Sequence, residues 1–211
     1  MQQRIDLDKG YIVVAPVDPT SEHSTLLTDK ERALLATMHS PARRAQWATW
    51  RTILRRELGA DVEVDYTSGG APVLSHAVGR LSHLSVSHST EIVAVMFASE
   101  PCGVDIESLG RNFSKVATRY IASGERTQWA EAMGPHFEAI MWSAKEALYK
   151  YGSREGVDFT HDTIVVEHSA EEHTLRANLF GLMTDTLHYI VADGHVISYV
   201  HGRAMGNSKA K

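Results

Sequence analysis

The chain has 211 residues, of which 43% are hydrophobic and 22% charged, so it can bury a sizeable core and is not expected to be disordered. Its 21 Lys and Arg against 26 Asp and Glu give a net charge of −5, which argues against general attraction to nucleic acid or to an anionic membrane. We expect a cytoplasmic protein, because no apolar run suits a membrane span or a signal peptide and the single Cys102 excludes an internal disulfide and a thiolate zinc cluster.

Local signals predict a strand and two helices in the first 60 residues. The apolar run of residues 11–15 predicts the strand. Thr28 and Glu31 have the spacing of a capping box, so a helix is expected to follow directly. Ser40, which precedes a proline, predicts the start of a second helix that ends at Gly59.

The second predicted helix, residues 41–58, has two kinds of surface. Tryptophan and leucine side chains recur three or four residues apart and predict one buried face. The other faces carry positive charge, so a polyanionic ligand could be bound locally although the net charge is negative. The arginines of these faces are Arg43, Arg44, Arg51, Arg55 and Arg56.

The rest of the chain continues to mix strands and helices. Strands are predicted at residues 62–66, 84–87, 92–97 and 104–107, helices at 113–122, 123–133 and 135–151, and strands at 163–167, 174–180, 187–191 and 195–201. Each half therefore carries a helical block and several strands, which predicts an α+β fold of two lobes, residues 1–103 and 104–211. The tail at 207–211 is expected to be frayed.

Four side chains could carry chemistry. Asp105 and Glu107 are two apart on a predicted strand, so they share one face, where two carboxylates repel unless a proton or a cation such as Mg²⁺ lies between them. Glu146 and Lys150 are neighbours on a predicted helix, and the apolar stripe of that helix directs them away from the local core, toward the acidic pair. Taken singly, these are also the patterns of a solvated strand end and a surface ion pair. Together they favour phosphoryl-type transfer.

Two sequence motifs resemble a known family. Residues 103–107, GVDIE, followed by residues 142–150, WSAKEALYK, are similar to the paired signature of the 4′-phosphopantetheinyl transferases, and residues 85–88, SVSH, resemble a strand end of that family. The resemblance is to the Sfp type, which implies a monomer of two pseudo-symmetric α/β lobes with the active site at the lobe interface. It also implies transfer of 4′-phosphopantetheine from coenzyme A to a serine of an apo acyl or peptidyl carrier protein, with release of 3′,5′-ADP.

The resemblance assigns roles to the residues of both motifs. Asp105, Glu107 and Glu146 would hold Mg²⁺, or Mn²⁺, against the pyrophosphate of coenzyme A. Glu146 would also take the proton of the serine hydroxyl, directly or through water, and Lys150 would neutralise the phosphates as 3′,5′-ADP departs. Lys145 matches a second lysine of the motif, with either a structural or a phosphate-steering role.

The resemblance also implies contacts to coenzyme A in the N-terminal lobe. Arg43 and Arg51 have the spacing of two arginines that bind the nucleotide 3′-phosphate in relatives, although Arg44 nearly eclipses Arg51 on a helix and is an alternative to Arg43. The family's loop lysine is replaced by Ala71, which removes one charge near the nucleotide. The coenzyme A contacts implied in this way are Arg43, Arg51, Pro72, Ser87, His88 and Lys150.

Residues 111–133 correspond to the stretch where relatives dock the carrier protein. A plain amphipathic helix would show the same pattern. The candidate contacts are the basic Arg111, Lys115 and Arg119 and the apolar Phe113, Val116 and Tyr120.

Two other functions compete with transfer. A metal-dependent nuclease or phosphohydrolase could also use acidic residues with a nearby lysine, but the helical spacing of Glu146 and Lys150 and the negative net charge disfavour it. A non-catalytic coenzyme A-binding module is disfavoured because the acidic residues and Lys150 are all present.

Overall fold

The computed structural model describes residues 2–203, which form two compact units, one ending at Ser99 and the other beginning at Glu100. We call them unit one and unit two. Both units combine helices with an antiparallel sheet, which agrees with the predicted α+β class. The lobe boundary predicted after residue 103 stays a prediction and falls inside the first strand of unit two. The tail predicted to be frayed lies outside the described residues.

Unit one is built on a four-stranded sheet with the strand order β1-β2-β6-β5, and β3 and β4 form a separate hairpin. The nearly all-apolar β6 lies between two strands, as its composition suggests. Two strands were not predicted from the sequence: β1, an edge strand whose residues are mostly exposed, and the short β4. The elements are β1 (Gln3–Leu7), β2 (Gly10–Pro16), α1 (Asp29–Thr37), α2 (Pro41–Leu58), β3 (Val64–Tyr66), β4 (Pro72–Leu74), β5 (His83–His88) and β6 (Ile92–Ala98).

Both helices of unit one begin where the sequence predicts. Thr28 and Glu31 form the complete capping box of α1. The hydroxyl of Ser40 accepts a hydrogen bond from the backbone N–H of Arg43 at the start of α2, and Gly59, with φ of 104°, ends that helix. These local signals fix the ends of α2, the helix that carries the arginine-rich faces.

Unit two holds six strands in one sheet, with the order β10-β9-β11-β12-β7 and β8 paired to β9. β7 is an edge strand, and its partner β12 runs antiparallel to it with Asp105 opposite Ser198. The hairpin of β11 and β12 turns at Asp193 and Gly194, both with positive φ. The elements are β7 (Cys102–Ser108), α3 (Ser123–Met133), α4 (Phe137–Gly152), β8 (Thr163–Ser169), β9 (Thr174–Leu179), β10 (Leu182–Met183), β11 (Leu187–Ala192) and β12 (His195–His201).

The helix α4 packs its predicted apolar stripe into the core of unit two. Phe137, Ile140, Ala144 and Leu148 are all buried there, in one cluster with side chains of the sheet. Glu146 and Lys150 lie on another face of α4 and are only half-buried, so they are available to the site described below.

The helical stretch predicted at residues 113–122 is present only as a short 3-10 helix, Ser114–Arg119, and not as an α-helix. Phe113 and Tyr120 are buried in the core of unit two, so they are not exposed as anchors for a partner. Lys115 and Arg119 are exposed and Val116 is half-buried. Among the described helices, none has both the length and the apolar character that crossing a bilayer requires.

Candidate active site

The strand β7 and the helix α4 approach each other closely because Gly103 has no side chain. A Cβ atom at this position would overlap the backbone of Ala147 and come close to that of Tyr151. Side chains two apart on a strand share a face, so Gly103, Asp105 and Glu107 all face the helix. The absent side chain at one position therefore brings two carboxylates to α4.

Asp105 forms the central contact of the site. Its Oδ1 atom accepts a hydrogen bond from Lys150 Nζ at 2.9 Å, and the same ammonium group donates to the carbonyl oxygen of Val104 at 2.9 Å. The Asp105 side chain is buried, whereas that of Lys150 is 23% exposed. The prediction that the polar face of α4 meets the acidic residues of β7 is confirmed for this pair.

Two donors share one oxygen of Glu107. Trp142 Nε1 lies 2.6 Å and Arg111 Nη1 lies 2.8 Å from Glu107 Oε1. Burial raises the pKa of Glu107 and the charge of Asp105 raises it further, while Arg111 and Trp142 act in the opposite direction. Neither the contact of Trp142 nor the link between Arg111 and Glu107 was predicted from the sequence. Trp142 lies one helical turn before Glu146, and this spacing is the signal that could have placed it at the site.

Glu146 is half-buried on α4 and belongs to the same electrostatic cluster. Burial raises its pKa, Asp105 and Glu107 raise it further, and Lys150 and Arg111 lower it. The three carboxylates therefore repel one another through space, although they come from two elements. A carboxylate whose pKa is raised toward neutrality is better suited to accept a proton than one with an ordinary pKa.

These carboxylates fit a divalent metal ion by their chemistry, since Mg²⁺ prefers hard oxygen ligands and would relieve their repulsion. Within residues 2–203, however, no three His, Cys, Asp or Glu side chains are placed so that they could hold a metal ion together. Lys150 and Arg111 occupy Asp105 and Glu107 instead. The assignment of Asp105, Glu107 and Glu146 as ligands stays a prediction.

Lys145, the other lysine of the motif, has a structural position. Its side chain is fully buried, and Nζ donates to Glu125 Oε2 and to the carbonyl oxygen of Phe159, both at 2.7 Å. Glu125 also accepts hydrogen bonds from the backbone N–H groups of Ala122 and Val165. The pair ties α3, α4 and β8 together, so the structural interpretation of Lys145 is favoured over phosphate steering.

In unit one, the structure connects two of the predicted coenzyme A contacts. Arg51 is only 4% exposed, and its guanidinium donates to the Tyr66 hydroxyl at 3.1 Å and lies 3.5 Å from Glu31. Tyr66 pairs with Pro72 across the hairpin of β3 and β4. Arg51 thus reaches the hairpin of Pro72, but as part of a buried network. Its role as a phosphate ligand stays a prediction.

The remaining predicted contacts of unit one lie near the start of α2 and the end of β5. Gln46 donates to the carbonyl oxygen of Ser89 at 2.9 Å, which brings α2 next to the exposed His88 and the buried Ser87. Arg43 is exposed. The alternative, Arg44, is half-buried and forms an ion pair with Glu22 at 2.9 Å. The greater exposure of Arg43 therefore favours it over Arg44 as a phosphate ligand.

Comparison with known proteins agrees with the resemblance. Residues 101–200, which contain β7 and α4, match the family model of the 4′-phosphopantetheinyl transferase superfamily. This part of the chain, just under half of its length, is similar to that superfamily and contains the GVDIE and WSAKEALYK motifs.

Two curated relatives are similar over a longer stretch. They are the 4′-phosphopantetheinyl transferases AcpT of Salmonella typhi and of Salmonella typhimurium strain LT2, each 30% identical over 125 residues. The aligned stretch covers 56% of this chain and 64% of each relative. The chain therefore spans less than two thirds of the length of the relatives it matches.

Proposed function

We propose that this protein transfers 4′-phosphopantetheine from coenzyme A to a serine of an apo acyl or peptidyl carrier protein, in a Mg²⁺-dependent reaction of the holo-carrier-protein synthase type. One observation carries the proposal. Acidic residues of β7 and the Glu146–Lys150 face of α4 converge in the segment that matches the superfamily, with Lys150 bound to Asp105. The mutual repulsion of the three carboxylates supports a cation as their shared ligand.

In the proposed reaction, Glu146 accepts the proton of the carrier serine, directly or through one water. The serine oxygen then bonds to the phosphorus that carries the pantetheine, and the bond from that phosphorus to the bridging oxygen breaks, which releases 3′,5′-ADP. Lys150 neutralises negative charge on the phosphates. Asp105, Glu107 and Glu146 would hold Mg²⁺, which supplies charge stabilisation to the pyrophosphate.

Two residues of this site, Glu146 and Lys150, have environments that support their proposed roles. The raised pKa of Glu146, caused by burial and by Asp105 and Glu107, favours proton acceptance. Lys150 is partly exposed, so its ammonium group is accessible to a ligand. The exposed Arg43 and His88, the half-buried Pro72, and the buried Arg51 and Ser87 are proposed as contacts to coenzyme A, and Lys115 and Arg119 as contacts to an acidic carrier.

An intact-mass assay tests the proposal. The full chain is incubated with coenzyme A, Mg²⁺ and an apo carrier protein, and we expect the carrier to gain the mass of one phosphopantetheine. Glu146→Gln should abolish the gain, whereas Glu171→Gln, at an exposed carboxylate of the turn between β8 and β9, should not. Cleavage of nucleic acid without carrier modification would favour a nuclease, and coenzyme A binding without transfer would favour a binding module.

A further inference from the structure

Two protein cations lie on the acidic cluster of unit two, and they differ in origin. Lys150 belongs to the α4 motif and binds Asp105. Arg111 lies outside both motifs, in the segment that follows β7, and binds Glu107. The proposed reaction uses Lys150 and gives no role to Arg111.

The geometry holds Arg111 firmly over Glu107. Its Nη1 lies 2.8 Å from Glu107 Oε1, the oxygen to which Trp142 also donates. The guanidinium carbon lies 4.9 Å from the ring centre of Trp142 and 5.1 Å from that of Phe113. Stacking on two aromatic rings orients the guanidinium toward the carboxylate.

Arg111 can leave this position without disrupting the core, because its side chain is 44% exposed while that of Glu107 is 16% exposed. Its positive charge lowers the pKa of Glu146 as well as that of Glu107, so it acts on two of the three carboxylates. An arginine held in this way satisfies acidic side chains that would otherwise repel one another.

We propose that Arg111 is an internal counter-ion that competes with the divalent cation for Glu107 and thereby lowers the affinity of the site for metal. This inference rests on the proposed function, which takes Asp105, Glu107 and Glu146 as the metal ligands. Arg111 and Trp142 both donate to Oε1 of Glu107, so a metal ion at this carboxylate would lie close to the guanidinium, and two cations at one carboxylate repel each other. Metal binding is therefore less favourable while Arg111 is paired with Glu107.

Calorimetric titration of the full chain with Mn²⁺, in the absence of coenzyme A, tests this competition. We expect Arg111→Gln to tighten Mn²⁺ binding about three- to fivefold, the change expected for release of a partly exposed ion pair. Arg111→Lys, which keeps the charge, should stay within about twofold of the wild type. Unchanged or weaker binding by Arg111→Gln would overturn the inference.

A matched control comes from another exposed ion pair of unit two. Arg176 lies 3.2 Å from Glu167, with side-chain exposures of 42% and 56%. Arg176→Gln removes the same net charge as Arg111→Gln and should leave Mn²⁺ affinity unchanged. Equal tightening by both variants would indicate a general effect of net charge and would contradict a specific role of Arg111.

Transfer assays on the same preparations separate the two proposals. Carrier modification by the wild type, together with unchanged Mn²⁺ affinity in Arg111→Gln, would remove the inference and leave the proposed function. No transfer and no Mn²⁺ binding by the wild type would remove both. Salt screens charge interactions. The difference in Mn²⁺ affinity between Arg111→Gln and the wild type should therefore become smaller as the salt concentration is raised.

Discussion

Lys145 and Lys150 lie on the same helix, and each forms an ion pair with a carboxylate, but the surroundings of the two pairs differ. Lys145 and Glu125 are almost completely buried, whereas Lys150 is 23% exposed over a buried Asp105. The first pair joins α4 to α3, and the second joins α4 to the acidic end of β7. One short motif thus supplies both a structural contact and a candidate catalytic one.

The two pairs differ in how many hydrogen bonds their charged groups make with the rest of the protein. Glu125 accepts from two backbone N–H groups as well as from Lys145, and Lys145 also donates to a backbone carbonyl. Burial lowers the pKa of Lys145, and the charge of Glu125 opposes this. Such a pair has no freedom to take another ligand. Lys150 has access to solvent, and its acidic neighbours are in mutual repulsion, so it can exchange partners during a reaction.

The largest expected effect breaks the structural pair. Lys145→Met leaves the charge of Glu125 buried without a partner, and we expect it to lower the free energy of unfolding by about 3–5 kcal/mol. Lys150→Met removes a donor from the buried Asp105, but the lysine side chain is 23% exposed and solvent can partly replace it, so we expect a smaller loss of about 1–3 kcal/mol. Urea denaturation of both variants measures the difference. Equal losses would contradict the distinction between the two lysines.

A second expectation concerns the contact that brings β7 to α4. In Gly103→Ala the added methyl group meets the backbone of Ala147, so we expect a loss of about 1–3 kcal/mol in the free energy of unfolding. Gly124→Ala on α3 is the control, because its added methyl group meets open space and alanine should gain up to about 1 kcal/mol there. An unchanged free energy of unfolding in Gly103→Ala would show that the close approach of β7 and α4 does not constrain the site.

The smallest expected effect is a gain in stability when Glu146 of α4 is replaced. Burial and the neighbouring carboxylates raise the pKa of Glu146, so its ionisation costs folding free energy as pH rises through the folded pKa. Glu146→Gln removes that cost and should add about 1 kcal/mol at pH 7. The gain should disappear below the ordinary pKa of glutamate, where the wild-type side chain is already neutral. Urea denaturation across this pH range tests the effect, and a pH-independent difference would contradict it.

The sequence predicted those features that depend on local rules. The capping box of Thr28 and Glu31 and the Ser40 cap depend only on neighbours in the chain, and both are present. The alternation of β7 and the periodicity of α4 predicted that Glu146 and Lys150 point toward the acidic pair of β7, and Lys150 does contact Asp105. The edge strand β1 was missed because few of its side chains are buried, so its hydrophobic pattern is weak.

Contacts between residues distant in sequence could not be predicted in this way. Nothing local pairs Lys145 with Glu125, or Trp142 with Glu107, because each pair forms only when separate elements pack. The same holds for Arg51, which appeared to be one of several surface arginines and is instead buried beside Glu31. Pairing with a buried acidic residue decides which arginines of α2 are buried, and that depends on the position of α1.

Anomalous diffraction from crystals of the full chain grown with Mn²⁺ and coenzyme A tests the central claim most directly. The account predicts one manganese peak about 2.0–2.3 Å from oxygen atoms of Asp105, Glu107 and Glu146, with Arg111 displaced from Glu107. A manganese peak elsewhere, or its absence with Lys150 and Arg111 still bound to their carboxylates, would contradict the assignment of these three residues as the metal site.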